Sequence, residues 1–293
     1  MRVSGFTFVR NAIRLDLPVV EAITSILPIC DEFIVAAGDS NDETTDLVRA
    51  IGDPRIRIIQ TVWDPQFFVR GAIYAQQTNV ALAQCTGDWC FYVQADEAVH
   101  EDDLPRVKQC MERNLGRPEV EGLLFRFLHF WGDYEHCHRA HCWYDREVRV
   151  VRNGIGVESW HDAQGFRRDG QKLKVVETGA SIYHYGYVRH PEIVAQKQAV
   201  TDAVYRAQLD GDAQRAPFDY YPLDRIPLFT GTHPRVMHDR IRNKDWDAAD
   251  YRGSGNPKQH KHDRLSQRLL SFVENNLLGG RRIWTRRNYV LIR

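Results

Sequence analysis

The chain has 293 residues and a formal net charge of zero, with 43% hydrophobic and 27% charged residues. This composition is typical of a globular protein and excludes a disordered or fibrous chain. The balanced charge argues against a nucleic-acid partner, which would require a broad excess of Lys and Arg. A chain of this length forms one large domain with an extension, or two smaller domains.

The first half of the sequence alternates between strand-like and helix-like segments. We predict strands at Val3–Val9, Phe33–Ala37, Ile56–Gln60 and Asp88–Val93, and helices from Asp16 to Ile26, from Ser40 to Ile51 and from Ala72 to Gln84. Asp16 is the expected cap of the first helix, and residues 40–43 resemble a capping box. This order predicts a doubly wound, mostly parallel α/β sheet with helices on both faces. Such sheets bind ligands at the carboxyl ends of their strands.

The second half is more varied. We predict helices at Asp102–Arg113 and from Pro191 to Leu209, and strands at Gly122–Phe130, Glu147–Arg152 and Ala180–His184. Beyond Pro217 the chain becomes rich in Pro and Asp, and then basic. We therefore predict a first domain over residues 1–225 and a basic, mainly helical C-terminal extension over residues 226–293.

The C-terminal segment carries uneven charge. From Asn276 to Arg293 it holds five arginines and no acid, interleaved with apolar residues, which suits peripheral contact with an anionic membrane. A solvated terminal helix or strand is the alternative. No apolar run approaches the roughly 20 residues that cross a bilayer, and the N-terminus lacks the layout of a signal peptide. We therefore expect a cytoplasmic protein, with peripheral contact at the inner face of the membrane as an option.

The segment Phe91–Glu97 combines an apolar strand with two carboxylates, Asp96 and Glu97, directly after it. In a doubly wound sheet these acids lie where the ligand binds. Hard oxygen ligands at that position suit Mg²⁺ or Mn²⁺ shared with phosphate groups. A solvated loop is the structural alternative, since acids often follow strands.

Three segments in this order, at residues 3–14, 34–44 and 89–97, resemble the nucleotide-sugar domain of family 2 glycosyltransferases, which has the GT-A type of fold. The family carries an Asp-rich turn after its second strand, here Gly38-Asp39-Ser40, and a DxD motif after its fourth, here Gln94-Ala95-Asp96. The resemblance covers roughly residues 1–205. It implies an inverting, hexosyltransferase-like enzyme of polysaccharide biosynthesis, which transfers sugar from a nucleotide-sugar donor to a glycan or glycolipid acceptor.

The resemblance also implies roles for individual residues. Asp96, Glu97 and His184 are the expected metal ligands, since a histidine at a late strand end serves this purpose in many members. Asp162 is the expected catalytic base, with Glu158 and His161 as reserves.

Four further residues are expected to contact the donor. Asn11 and Asp39 follow the first two strands and face the base or ribose. Gln94 replaces the first acid of the DxD motif, and Arg70 substitutes for an arginine that usually contacts the diphosphate.

Other functions remain as alternatives. The loss of one DxD acid leaves open a non-catalytic homologue that binds carbohydrate or nucleotide. A sugar nucleotidyltransferase is less consistent, because the loop after the first strand holds no glycine. The dense histidines and cysteines of residues 136–142 leave open a zinc site, although their spacing matches no standard finger.

Overall fold

The computed structural model describes residues 1–206, 216–220, 222–251, 260–283 and 287–292. Its strands are β1 (Val3–Val9), β2 (Glu32–Ala37), β3 (Ile56–Gln60), β4 (Trp89–Tyr92), β5 (Glu97–Val99), β6 (Gly122–Trp131), β7 (Cys137–His138), β8 (Arg146–Arg152), β9 (Val157–Trp160), β10 (Gly165–Arg168), β11 (Gln171–Lys172), β12 (Lys174–Tyr187) and β13 (Val290–Leu291). Its helices are α1 (Val19–Ile26), α2 (Thr44–Arg49), α3 (Ala72–Leu82), α4 (Leu104–Asn114), α5 (Pro191–Arg206), α6 (His238–Arg242) and α7 (Leu265–Phe272), and short 3₁₀ turns connect several of them.

The main sheet runs in the order β13-β12-β6-β8-β4-β1-β2-β3. Strands β4, β1, β2 and β3 pair in parallel, whereas β8 is antiparallel to both of its neighbours. Strand β12 returns to parallel pairing with β6. The expected mostly parallel α/β sheet is therefore confirmed, with one reversed strand in its middle.

Helices cover both faces of the sheet, as expected. Helices α1 and α4 pack in one core cluster with Phe33 and Val35, while the end of α3 packs in another with Ile34 and Ala36. Consecutive residues of β2 thus enter opposite cores, because side chains alternate across a strand. This explains why the sequence of β2 is continuously apolar instead of alternating.

Two helix starts differ from the predictions. Asp16 does not cap α1: it has a φ of 46° and its carboxylate pairs with Arg240, and the helix begins only after Pro18. In α2 the side chain of Asp42, and not that of Ser40, accepts the backbone N–H of Thr44 at 3.1 Å. Both predicted capping residues have tertiary partners instead: Asp16 pairs with Arg240, and Ser40 Oγ accepts the backbone N–H of Asn11.

The antiparallel additions to the sheet are absent from the sequence predictions. Strand β5 begins directly after Asp96 and pairs with β12, which places Glu97 opposite His184. A separate three-stranded sheet, in the order β11-β10-β9, connects β8 to β12. These strands are short, and their residues carry no long apolar run that would reveal them.

The C-terminal part is mainly helical where it is described, as expected, yet it is attached to the main sheet. Strand β13 pairs in parallel with the start of β12. Phe229 and Met237 pack in one cluster with Phe130 of β6 and Tyr185 of β12. The division at residue 225 stays a prediction. Within the described ranges, no helix has both the length and the apolar character needed to cross a membrane.

A buried ion pair lies in the middle of the sheet. Glu97 is fully buried, and its carboxylate accepts two hydrogen bonds from Arg149 of β8, at 2.9 Å from Nε and 2.7 Å from Nη2. The guanidinium also stacks 4.8 Å from the ring centre of Phe127. The pair connects the start of β5 to β8, and each of the two buried charges is the counterion of the other.

We predict that Gly5→Ala destabilises the fold by about 1–3 kcal/mol through overpacking. A Cβ atom at Gly5 would lie only 2.7 Å from Cε2 of Phe33, inside the core. Gly116→Ala is the control, because a Cβ there meets no atom within 4 Å. Urea unfolding measures both free energies, and equal midpoints for the two variants would contradict the packing of β1 against Phe33.

We also predict that Glu97→Gln lowers the free energy of unfolding by about 3–5 kcal/mol, because Arg149 is left as a buried charge without its counterion. Glu112→Gln, on the exposed side of α4, is the matched control with the same change of charge. Thermal unfolding of the two variants provides the comparison. A melting temperature of Glu97→Gln close to that of Glu112→Gln would show that the pair is not buried.

Candidate active site

A cavity of about 410 Å³ opens at the carboxyl ends of the four parallel strands. Asn11 follows β1, Asn41 follows β2, Trp63 follows β3, and Gln94 follows β4. The opposite wall comes from α5. The residues lining the cavity are Phe8, Val9, Arg10, Asn11, Arg14, Leu15, Leu17, Asn41, Trp63, Tyr74, Gln94, Ala95, Asp96, Asp162, Lys197, Val200, Thr201 and Tyr205. Its location agrees with the general rule for ligand sites in α/β sheets.

Asp96 is the buried acid of this cavity and is held by two cations. Its Oδ2 atom accepts hydrogen bonds from Lys197 Nζ at 2.8 Å and from Arg189 Nη2 at 3.2 Å. Burial by itself would raise the pKa of Asp96, but Lys197, His184 and Arg189 together lower that pKa well below its usual value. The direction of this shift favours the anionic form of Asp96, and in the described part of the chain both cations bind its Oδ2 atom.

Arg189 is fully buried and connects the parts of the site. Besides Asp96, it donates to the backbone oxygen of Gly186 at 2.6 Å and to that of Asp16 at 3.1 Å. Its own backbone oxygen accepts from the hydroxyl of Tyr220 at 2.8 Å. The guanidinium thus fixes the end of β12 and the loop before α1 on either side of Asp96.

His184, at the end of β12, faces the free oxygen of Asp96, with its Nε2 atom 3.9 Å from Oδ1. Its Nδ1 atom lies 3.1 Å from Nδ1 of His129, and Nε2 of His129 lies 2.7 Å from the carbonyl oxygen of Tyr144. A carbonyl only accepts, so His129 Nε2 carries a proton. Burial lowers the pKa of His129 well below its usual value, so its Nδ1 atom is an acceptor. The network therefore assigns the proton of His184 to Nδ1 and leaves a lone pair on Nε2.

This donor set fits a divalent cation between Asp96 and His184. The Oδ1 atom of Asp96 and the Nε2 atom of His184 lie 3.9 Å apart, and a carboxylate oxygen and an imidazole nitrogen are both groups that would coordinate a divalent cation. The fixed tautomer of His184 is the arrangement that neighbouring groups impose on metal-binding histidines. Gly186 keeps the space open, since a Cβ atom there would lie 2.5 Å from Cε1 of His184. Among the described residues no group of three or more potential ligands converges, so other ligands have to come from substrate or water.

Glu97 does not fit the ligand role expected of it. Both of its oxygens bind Arg149, and Oε2 also accepts the backbone N–H of Gln94 at 3.1 Å. The side chain lies in the sheet interior because Glu97 opens β5, where alternate residues face opposite sides. Gln94 itself lines the cavity, and its amide donates to the backbone oxygen of Ala163 at 3.3 Å.

An aromatic wall forms the far end of the cavity. The rings of Phe8 and Tyr74 are stacked at 5.9 Å, and Trp63 meets Tyr74 edge-on at 5.6 Å. The guanidinium of Arg10 lies 5.1 Å from the ring centre of Trp63. Within the described residues the buried Nε1 of Trp63 has no hydrogen-bond partner. This wall offers a flat apolar surface with a cation at its edge.

Asp39 supports this wall instead of lining the cavity as predicted. Its carboxylate accepts the backbone N–H of Trp63 at 3.1 Å and pairs with Arg10 at 3.2 Å. Asn11 does line the cavity, and its Oδ1 atom accepts the backbone N–H of Asn41 at 2.9 Å. Arg70 is exposed and lies outside the cavity, so its predicted contact with a diphosphate is not supported by its location.

Asp162 lies on the cavity wall, as required of a catalytic base. It follows β9 in a turn, and its Oδ2 atom accepts a hydrogen bond from the hydroxyl of Tyr205 at the end of α5. Burial raises the pKa of Tyr205, and the bond to Asp162 raises it further, so this hydroxyl keeps its proton. The reserve residues Glu158 and His161 are exposed and lie outside the cavity.

Several residues of the site had no signal in the sequence. Lys197 and Tyr205 line the cavity from α5, and Arg189 lies just before that helix. The sequence of α5 predicts a helix but gives no indication that it contributes to a site. Trp63 follows the half-buried strand β3, so its position after the third parallel strand is the one clue that sequence reasoning had available.

The dense histidines and cysteines of residues 136–142 do not converge on one point. His136 pairs with Asp133 at 2.8 Å, whereas His141 bonds to Glu274 at 2.7 Å. His138 is buried beside His262, at 4.2 Å between ring centres. The described residues therefore show these side chains in three separate environments.

No protein-family model matches the chain. An uncharacterized glycosyltransferase of Rickettsia bellii (strain RML369-C) is 22% identical over 205 residues, which cover 67% of this chain and 63% of the relative. The match thus spans less than two thirds of the length of this curated relative.

Solved structures give weaker similarities. TarS 1–349 from S. aureus in complex with UDP has a TM-score of 0.41 and 17% identity, with 70% of this chain and 65% of that chain covered. A glucosyl-3-phosphoglycerate synthase from Mycobacterium tuberculosis, in complex with Mn²⁺, UDP and phosphoglyceric acid, has a TM-score of 0.31 and 19% identity, with coverage of 44% and 43%. The chain is similar in sequence to a curated glycosyltransferase, in agreement with the resemblance to family 2 enzymes carried by its motifs.

Proposed function

We propose that the chain is a glycosyltransferase that transfers a sugar from a nucleotide-sugar donor to a hydroxyl acceptor. The observation that carries this proposal is the presence of two carboxylates with different surroundings in one cavity. Asp96 is held as a buried anion among cations, whereas Asp162 is half-buried with one hydroxyl partner. The first suits a divalent cation that would compensate the charge of a diphosphate, and the second suits proton removal.

The donor would lie along the cavity from the aromatic wall to Asp96. The nucleobase stacks on Trp63, Phe8 or Tyr74, in contact with the cation of Arg10. Asn11 contacts the base or ribose. The diphosphate then reaches Lys197, whose side chain is 32% exposed to the cavity and supplies a positive charge. This orientation leaves the sugar between the diphosphate and Asp162.

Asp96 Oδ1 and His184 Nε2 would hold Mg²⁺ or Mn²⁺ at the diphosphate. A divalent cation at this place supplies Lewis-acid compensation of the charge on the leaving group. Lys197 and Arg189 hold the other oxygen of Asp96, which keeps the carboxylate in one orientation. His129 holds His184 in the tautomer that presents a lone pair.

Asp162 would accept the proton of the acceptor hydroxyl as that oxygen attacks the anomeric carbon. General base catalysis of this kind typically contributes about 10²–10⁴-fold. The hydroxyl of Tyr205 orients the carboxylate and leaves its other oxygen available. A single displacement with inversion requires only one base, and Asp162 would be that base. The acceptor we propose is a glycan or a glycolipid.

One observation favours the second candidate, a homologue that binds nucleotide or carbohydrate without catalysis. Gln94 replaces an acid, and the remaining acid, Asp96, is already neutralised by two protein cations. Such a site would bind an anionic ligand without requiring the metal. Turnover, and not binding, separates the two functions.

We predict that UDP-, GDP-, CDP- or dTDP-sugars raise the thermal stability of the protein in the presence of Mn²⁺. At a ligand concentration of about 100 times the dissociation constant the gain is about 2.7 kcal/mol. Asp96→Asn removes the anion at the diphosphate while preserving shape, and should abolish the Mn²⁺-dependent part of the shift. Asp239→Asn, on the exposed side of α6, is the control. A shift of the same size in Asp96→Asn would remove this residue from the metal site.

We predict that Asp162→Asn retains the nucleotide-dependent thermal shift but lowers turnover by at least about 100-fold, because it removes the base without touching the donor site. Asp169→Asn is the matched control, since this carboxylate is 88% exposed and lies outside the cavity. Release of nucleoside diphosphate, with a panel of acceptors, measures turnover. Wild-type turnover in Asp162→Asn would refute the role of this residue, and nucleotide binding without turnover in the wild type would favour the second candidate.

A further inference from the structure

Helix α7 is oriented with its apolar side outwards. Leu265, Leu269 and Phe272 lie at positions i, i+4 and i+7, and so share one face of the helix. Their exposed fractions are 70%, 59% and 59%. A surface helix normally buries such a face and exposes its polar one. In α7 these three side chains face solvent, and no residue of the helix is buried.

The polar side of α7 provides its attachment to the protein. Ser271 Oγ accepts the backbone N–H of His141 at 2.8 Å. One turn further on, Glu274 is fully buried and accepts from His141 Nδ1 at 2.7 Å and from Arg282 Nη1 at 2.7 Å. Asn275 donates to the backbone oxygen of Arg139 at 3.0 Å. These bonds fix the orientation, so the outward direction of the apolar side is a consequence of specific contacts.

The exposed apolar residues continue beyond the helix. Leu277 and Leu278 are 68% and 40% exposed, and with the three residues of α7 they form what we call the α7 stripe. This stretch of 14 residues supplies five of the 15 large hydrophobic residues that are exposed in the described part of the chain. Isolated exposed hydrophobic residues are ordinary, but a group of five within 14 residues, three of them on one helix face, indicates an interaction surface.

The charges around the stripe identify the kind of partner. Arg264, Arg268, Arg281 and Arg287 are exposed on and beside it. From Arg264 to Arg293 the sequence holds seven arginines and a single acid, Glu274, which is buried. A segment that combines exposed Leu, Phe and Arg, and whose one side-chain carboxylate is buried, is complementary to an anionic lipid bilayer. Arg286 and Arg293 of the basic tail lie outside the described residues.

We infer that the α7 stripe binds the surface of a membrane rich in anionic lipid, with its apolar side chains inserted among the lipids and its arginines at the headgroups. The sequence analysis assigned such contact to the tail after Asn276. The structure assigns the apolar part to α7, which precedes the tail. His141, to which α7 is attached, belongs to the loop that also holds Tyr144, whose carbonyl orients His129 beside His184. The α7 stripe is thus attached to the same loop that contacts the histidine pair of the candidate active site.

Co-sedimentation of the full chain with sucrose-loaded vesicles tests this inference without any nucleotide, so its result is independent of the proposed glycosyl transfer. We expect the wild type to bind vesicles of phosphatidylcholine and phosphatidylglycerol, and to bind vesicles of phosphatidylcholine alone far more weakly. Raising NaCl from about 0.1 M to about 1 M should weaken binding, because the Debye length falls from roughly 10 Å to roughly 3 Å.

Two double variants separate the contributions. Leu269→Ser with Phe272→Ser removes the centre of the stripe, and Arg264→Glu with Arg268→Glu reverses its charge. Each should reduce the bound fraction at least about tenfold, since insertion and attraction both contribute to interfacial binding. Leu228→Ser and Lys108→Glu are the controls, because Leu228 is 61% exposed and Lys108 lies on the exposed side of α4. Circular dichroism verifies that all variants are folded.

Three results would overturn the inference. The first is a failure of the wild type to bind phosphatidylglycerol vesicles. The second is binding of the stripe variants that equals the binding of their controls. The third is a dimer, detected by sedimentation equilibrium, that the Leu269→Ser, Phe272→Ser variant dissociates, together with no vesicle binding by the wild type. That last result would identify a second copy of the chain as the partner of the stripe.

Discussion

The candidate site depends on the compensation of one buried charge, that of Asp96. An unpaired carboxylate at this depth would cost several kcal/mol, so the chain must bring cations to it. Arg189 comes from the end of β12, and Lys197 comes from α5. Both elements are thereby held over the carboxyl ends of the parallel strands. The requirement to neutralise Asp96 closes the second half of the chain onto the first and creates the cavity between them.

A second buried pair has a different consequence. Glu97 and Arg149 lie next to the site, but both oxygens of Glu97 accept hydrogen bonds from Arg149. The carboxylate of Glu97 therefore faces Arg149 and not the cavity. Consecutive acids in the sequence are therefore separated into two environments. Asp96 keeps one free oxygen towards the cavity, whereas Glu97 stabilises the connection between β5 and β8. Successive side chains of an extended chain point to opposite sides, and this alternation at the start of β5 separates the two acids.

The His129–His184 contact and helix α7 illustrate how neighbouring groups determine what a residue presents outwards. A carbonyl at one end of the histidine pair decides which nitrogen of His184 holds the lone pair. Ser271 Oγ of α7 and the Glu274 carboxylate just after the helix accept hydrogen bonds from His141 of the β7–β8 loop, and these bonds decide that the apolar side faces solvent. Neither outcome follows from the composition of the segment, since the same residues in another setting would present the opposite face.

The sequence by itself determined the order of strands and helices in the first half, the mostly parallel sheet, and the placement of Asn11, Gln94 and Asp96 at strand ends. Periodicity and long apolar runs are local properties of the sequence, so they can be recognised without knowledge of the fold. Only the tertiary structure decided which acids share the cavity, that Asp39 supports the aromatic wall, and that Lys197 and Arg189 hold Asp96. Those outcomes depend on contacts between residues 24 to 101 positions apart, such as Trp63 with Asp39 and Lys197 with Asp96. Distances of that kind are set by packing and charge compensation over the whole chain, which no local pattern records.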